Sequence, residues 1–202
     1  MCGIAGYIGE TKNPSECLAK MAQAINHRGP DSNGIWTDQE EIGLAHTRLS
    51  ILDLSAAGHQ PMHSVSGNYV LIFNGEIYNH KYLRSELESI SNRNWLGHSD
   101  TETLLASIEE WGIENTLSKV KGMFAIALWD KRSKNLYLSC DRIGEKPLYY
   151  GWVNEQFVFA SELKSIKQFP KFNNEIDRNS LAMFLRFNSI PAPYSIYEKI
   201  YK

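Results

Sequence analysis

The sequence predicts an α+β chain built as two packed sheets of mostly antiparallel strands with helices on their outer faces. Three observations lead there. Several short runs are apolar at nearly every position, as in strands covered on both faces. The charged segment between Trp129 and Asn135 reads as a hairpin connection between two such runs. The order is strand, helix, strands, two helices, strands, with too many hairpin-like connections for a doubly wound parallel sheet. At 202 residues, one domain or a domain with an added piece is expected, at roughly 150 residues per domain.

Ile4 to Ile8 is the first expected strand, apolar around Gly6, where a second backbone can approach closely. Asn13-Pro14-Ser15-Glu16 has the form of a helix start, with Asn13 as cap and Pro14 in the first turn. Leu18, Met21, Ala22 and Ile25 then recur on one helical face, and Cys17 beside them reads as a packing residue. His27-Arg28-Gly29-Pro30-Asp31 breaks this helix. Further strands are expected at Ile51 to Leu54, Tyr69 to Phe73, Met123 to Trp129, Leu136 to Ser139 and Phe157 to Ala160. Two helices lie between them. One follows Asn79 and carries Leu83, Leu87 and Ile90; the other follows a Ser99–Glu102 capping box and carries Leu104, Leu105, Ile108 and Trp111. The polar stretch Gln168 to Asp177 looks like the end of the main unit, giving a first domain over residues 1–176. Residues 177–202 then read as a helix capped by Asp177, with Leu181, Phe184 and Leu185 on one face, running into the rigid connector Ile190-Pro191-Ala192-Pro193. That apolar face expects a neighbour.

Composition narrows the function. Lys plus Arg total 21 and Asp plus Glu 23, a net charge of -2 with no basic run, so a nucleic-acid partner is not expected. The hydrophobic share of 43% is ordinary globular usage and excludes fibrous and wholly disordered classes. No apolar run is long enough to span a membrane. Three cysteines and no basic leader favour a reducing compartment, the cytoplasm. Gly-rich nucleotide-binding loops, His-Glu-x-x-His and paired-cysteine patterns are all missing. His59 and His63 are split by Pro61, so no metal is expected there.

Cys2 is the candidate nucleophile. Removal of Met1 would give Cys2 a free α-amine, with a pKa near 8, able to act as general base for its own thiol. Asn74-Gly75 directly follows the run Tyr69 to Phe73, so an amide and a glycine are expected at a strand end, where the side-chain amide and a backbone N–H could supply the two donors of an oxyanion hole. The same pair is equally the strongest hairpin signal, although Glu76-Ile77-Tyr78-Asn79 leads to a helix. Arg48 fits a carboxylate clamp or a fold-linking ion pair. Asp100, at a helix start, fits an ammonium partner or merely the helix dipole. Taken together the four would complement glutamine: carboxylate, ammonium and a side-chain amide presented to a thiol.

Met1-Cys2-Gly3-Ile4-Ala5-Gly6, His27-Arg28-Gly29-Pro30-Asp31-Ser32, Arg48-Leu49-Ser50-Ile51, Phe73-Asn74-Gly75-Glu76-Ile77-Tyr78-Asn79 and Ser99-Asp100-Thr101-Glu102 closely resemble the glutaminase domain of glutamine-dependent asparagine synthetases. These are class II glutamine amidotransferases, among the N-terminal-nucleophile hydrolases. Gly122-Met123-Phe124-Ala125, Asp141 to Tyr150 and Ala160-Ser161-Glu162-Leu163-Lys164 continue the resemblance in order along almost the whole chain. The resemblance implies a four-layer α/β/β/α sandwich and hydrolysis of L-glutamine to glutamate and ammonia. It implies Cys2 as nucleophile, Asn74 and Gly75 as oxyanion donors, and Arg48 as carboxylate clamp. It places Gly75, Glu76 and Asp100 around the substrate amine, and Leu49, Ser50, Ile51 and Leu52 along the pocket wall. The loop at His27 to Asp31 resembles the asparagine-synthetase branch more than branches acting on sugar phosphates. The family continues into an ATP-dependent synthetase domain, whose start residues 177–202 resemble. No cofactor is implied for the domain present, while ATP and Mg²⁺ are expected for the missing one. A missing synthetase domain and a homo-oligomer are the implied protein partners. Two alternatives remain open: a related amidotransferase that amidates another carboxylate, and a non-catalytic glutamine-binding module.

Overall fold

A computed structural model describes residues 1–51 and 53–202. The first part of the chain runs β1 (Gly3–Ile8), α1 (Pro14–Ala24), β2 (Ser32–Thr37), β3 (Ile42–Arg48), β4 (Met62–His63) and β5 (Tyr69–Ile77). Three helices follow: α2 (His80–Ile90), α3 (Asp100–Trp111) and α4 (Ile113–Lys119). The rest comprises β6 (Gly122–Asp130), β7 (Asn135–Cys140), β8 (Tyr149–Val153), β9 (Gln156–Ala160), α5 (Leu163–Ile166), α6 (Arg178–Phe187) and β10 (Ile200–Tyr201).

Two sheets result, of orders β10-β8-β9-β1-β3-β2 and β4-β5-β6-β7. Neighbouring strands in both are antiparallel. Side-chain alternation sorts the core into three apolar layers. Ala5 and Tyr7 point from β1 toward Leu18, Met21 and Ile25 beside α1. Leu71, Phe73 and Ile77 point from β5 toward Leu83, Leu104 and Ile108 of α2 and α3. Between the sheets lie Ile4, Ile42, Leu44, Val70, Ile72, Ala125, Ala127 and Phe159. The architecture is therefore the α/β/β/α sandwich. Close approach at Gly6 is real: a side-chain Cβ there would come within 2.5 Å of the Gly43 carbonyl oxygen.

The expected strand from Ile51 to Leu54 is not formed. Ile51 lies in a bend and is exposed, and Asp53 and Leu54 carry no strand structure; Leu52 lies outside the described residues. The strand is β3, which ends at Arg48, where both neighbours run out: Gly3 of β1 lies opposite Thr47 and Ser32 of β2 opposite Arg48. Side chains take over: Ser50 N–H donates to Asp31 Oδ2 at 2.8 Å, and the Arg48 guanidinium donates to the carbonyls of Asp53 and Ser55.

The caps follow expectation only in part: Asn13 makes no side-chain cap bond, its Nδ2 donating instead to Glu16 Oε2 at 3.1 Å. Asn79 makes no cap bond; its amide bridges the Lys119 carbonyl at 3.0 Å and the Lys121 N–H at 2.8 Å, tying the end of β5 to the start of β6. Ser99 Oγ does accept from Glu102 N–H at 3.2 Å, but the Glu102 carboxylate reaches back to the N–H groups of Leu96 and Gly97. Asp177 caps α6 through Ser180 N–H at 2.7 Å. Leu181, Phe184 and Leu185 on that helix are exposed, and the chain then folds back so that β10 extends the six-stranded sheet beside β8.

Candidate active site

Alternation along three strands builds the site. Ile4 points between the sheets, so Cys2, two residues earlier, points the same way from the head of β1. Ile42 and Leu44 do likewise on β3, which carries His46 and Arg48 into the same layer at the same end. On β5, Val70 and Ile72 face inward, and Asn74 continues the row. The inter-sheet core thus turns polar at one end. There it opens as a cleft of about 120 Å³ lined by Cys2, Arg48, Asn74, Gly75 and Asp100, among others.

Cys2 Sγ sits against the Leu49 backbone, accepting from its N–H at 3.4 Å and lying 3.6 Å from its carbonyl oxygen. Burial pushes the thiol up; the Leu49 N–H, the chain's terminal ammonium and Arg48 act in the opposite direction without overcoming it. A thiol held protonated needs a base to become a nucleophile. Behind it, Arg28 Nε donates to the Cys2 carbonyl at 2.9 Å, and Arg28 Nη1 pairs with Glu162 at 3.0 Å.

Asn74 is 1% exposed, and its Nδ2 has no hydrogen-bond partner. A buried amide N–H left unpaired costs about 1–3 kcal/mol, which makes a donor facing a cleft chemically meaningful. Asn74 and Gly75 are not at a strand end or in a hairpin, because β5 runs on to Ile77 with Gly75 opposite Phe124. A side chain at Gly75 would collide with the Met123 carbonyl, so glycine is required there by close packing.

Asp100, the first residue of α3, is 5% exposed and accepts from Ile77 N–H at 2.8 Å. Burial raises its carboxyl, with the Ile77 hydrogen bond opposing. Arg48 is 9% exposed, with its guanidinium wrapped by the loop carbonyls of Asp53 and Ser55. Asp53 in turn accepts from Ser55 and from His98 N–H, hydrogen bonds that hold its carboxyl at about 2. Leu49, Ser50, Ile51 and Glu76 also line the cleft; Leu52 lies outside the described residues.

Two buried neighbours were not singled out by the sequence reading. His46 Nε2 donates to the Phe73 carbonyl at 3.2 Å, and burial pulls its imidazole down to about 3. Gln60 accepts from Phe73 N–H at 2.6 Å. The available signal was polar residues interrupting apolar patterns, His46-Thr47-Arg48 above all. Among the described residues, no group of three or more His, Cys, Asp or Glu side chains could hold a metal, and no helix is long and apolar enough to cross a membrane.

Two packed antiparallel sheets between helix layers, with the chain's N-terminus at the head of a central strand, make up the fold of the N-terminal-nucleophile hydrolases. Comparison of the fold agrees. Glutamine phosphoribosylpyrophosphate amidotransferase from B. subtilis superposes with a TM-score of 0.70 over 82% of this chain and 43% of that one, at 23% identity. A family profile described as "Glutamine amidotransferase domain" matches residues 1–202. The chain belongs to that family. It is 40% identical over 201 residues to asparagine synthetase [glutamine-hydrolyzing] 1 of Bacillus subtilis, covering 97% of this chain and 31% of the relative. It is 37% identical over 222 residues to putative asparagine synthetase [glutamine-hydrolyzing] 2 of Methanocaldococcus jannaschii, covering 100% of this chain and 42% of the relative. The chain therefore spans well under half the length of these curated relatives.

Proposed function

We propose that this chain hydrolyses L-glutamine to L-glutamate and ammonia through Cys2. The observation that carries the reading is the unpartnered, buried Nδ2 of Asn74 in the cleft that Cys2 lines. With Met1 removed, the Cys2 α-amine takes the Sγ proton, and the thiolate attacks the side-chain amide carbon of glutamine. The carbonyl oxygen becomes an oxyanion held by Asn74 Nδ2 and Gly75 N–H. The α-ammonium returns its proton to the departing nitrogen, leaving ammonia and a γ-glutamyl thioester on Cys2. Water, deprotonated by the same amine, cleaves the thioester to glutamate. Arg48 at one end of the cleft suits the α-carboxylate, while Asp100 and Glu76 suit the α-ammonium.

In the longer relatives' arrangement, the ammonia would serve ATP- and Mg²⁺-dependent amidation of aspartate to asparagine by a synthetase domain beyond residue 202. Residues 177–202 would form the approach to that domain, and a cytoplasmic setting fits three unpaired cysteines. The test is glutamate release by the chain beginning at Cys2, together with intact-mass detection of one adduct from a glutamine-analogue electrophile. Cys2→Ala is expected to abolish both, whereas Cys17→Ala and Cys140→Ala retain them. Glutamate release by Cys2→Ala at the parent rate would refute the assignment.

A further inference from the structure

We propose that Gln60 is a positioning residue that sets the Asn74–Gly75 donor pair; the inference rests on the glutaminase reading above. β4 is only two residues long and pairs with Val70 and Leu71, so the edge of β5 is open from Phe73 onward. Ser64 N–H reaches the Tyr69 carbonyl across that edge, whereas Tyr78 N–H and the Asn68 carbonyl are engaged on the β6 side. By alternation the backbone groups of Phe73, Gly75 and Ile77 therefore all face the open edge. An unpaired strand edge is otherwise free to take any passing partner.

Side chains from elsewhere close it selectively. Phe73 N–H donates to Gln60 Oε1 at 2.6 Å, and the Phe73 carbonyl accepts from His46 Nε2 at 3.2 Å. Ile77 N–H donates to Asp100 Oδ2 at 2.8 Å. Gly75 lies between these two tethers and lines the cleft, so its N–H is the member of the row presented to substrate. Gln60 does a second thing. Its Nε2 donates to Thr101 Oγ1 at 3.3 Å, next to Asp100 at the start of α3. One side chain, 4% exposed, thereby fixes the strand that carries the oxyanion donors against the helix that carries the acidic end of the cleft.

Gln60→Met keeps the volume and removes both hydrogen bonds. In the chain beginning at Cys2, kcat for glutamine is expected to fall at least about tenfold, since misplacement of about 1 Å costs up to about a hundredfold. KM should stay within about twofold, because an oxyanion forms only after binding. Alkylation of Cys2 by iodoacetamide, a displacement at saturated carbon with no oxyanion, should also stay within about twofold. Thr101→Val, which removes only the helix tether, should lower kcat in the same direction by about threefold. An unchanged kcat in Gln60→Met, or alkylation falling in step with kcat, overturns the positioning role. Should Gln60→Met not fold, an unchanged kcat in Thr101→Val overturns it instead. A parent chain that releases no glutamate overturns the glutaminase reading, and this proposal with it; a turning-over parent indifferent to Gln60 overturns this proposal alone.

Discussion

Acidification should destabilise this protein through His46 by an amount the structure lets one work out. The imidazole is 1% exposed, and burial, reinforced by the nearby charges of His59 and Arg48 and opposed by the Phe73 carbonyl, holds it at about 3. In the unfolded chain it titrates near 6.5. Below that value the unfolded chain takes up a proton that the folded chain refuses, so stability is lost as pH falls, by about 1.4 kcal/mol per unit until the folded value is reached. From pH 6.5 to 4.5 the loss attributable to His46 is about 2 kcal/mol, a large part of a typical total of roughly 5–15 kcal/mol. His46→Gln retains an N–H for the Phe73 carbonyl and cannot titrate. Urea unfolding of parent and His46→Gln at pH 6.5, 5.5 and 4.5, followed by circular dichroism, isolates the effect, because the carboxylates common to both cancel in the difference. The parent should lose about 2 kcal/mol more than the variant across this range. Curves that stay parallel within about 0.5 kcal/mol would show that His46 is protonated in the folded protein, and the burial argument would be wrong.

Asn74→Ala should lower kcat by about 10²–10³, the usual loss of one oxyanion donor, with a much smaller change in KM; steady-state glutamate release measures both. Arg48→Lys loses the planar fork and Asp100→Asn loses the charge, so both should raise KM for glutamine. Because burial raises the Asp100 carboxyl, its ionised form weighs against folding as pH rises through that value. Asp100→Asn should therefore have a higher urea midpoint than the parent near neutral pH, and an equal or lower midpoint would contradict this.

The two outer helix layers and the central strands were legible because their apolar periodicity is local. Leu18, Met21 and Ile25 mark α1, and Val70 to Phe73 marks most of β5. β3 was not legible because its last residues, His46, Thr47 and Arg48, are polar yet buried. The extent of β5 was underestimated for a related reason. Its last residues, Asn74 to Ile77, pair with Gly122 to Ala125 of β6, far away in sequence, while Asp100, 23 residues on, holds the Ile77 N–H, and no local pattern announces such contacts. Position and motif made the candidates visible: Cys2 directly after Met1, Asn74-Gly75 after an apolar run, Arg48 near an expected strand and Asp100 at a helix start, each within a stretch that resembles the family. Gln60 could be recognised only once the shortness of β4 had exposed the edge that it closes. That Arg48 spends its guanidinium on the loop carbonyls of Asp53 and Ser55 was likewise invisible, since it depends on where the loop after β3 turns.

Met1 lines the same cleft as Cys2 and Asn74, its Sδ 3.4 Å from Lys146 Nζ, while Arg28 grips the Cys2 carbonyl from behind. On the proposed mechanism, a chain that keeps Met1 has the Cys2 amine tied up as an amide and a methionine side chain lying in the cleft. Met1 is 55% exposed. On the same mechanism, an affinity tag fused ahead of Cys2 would block the α-amine permanently, so such material is expected to fold yet release no glutamate from glutamine.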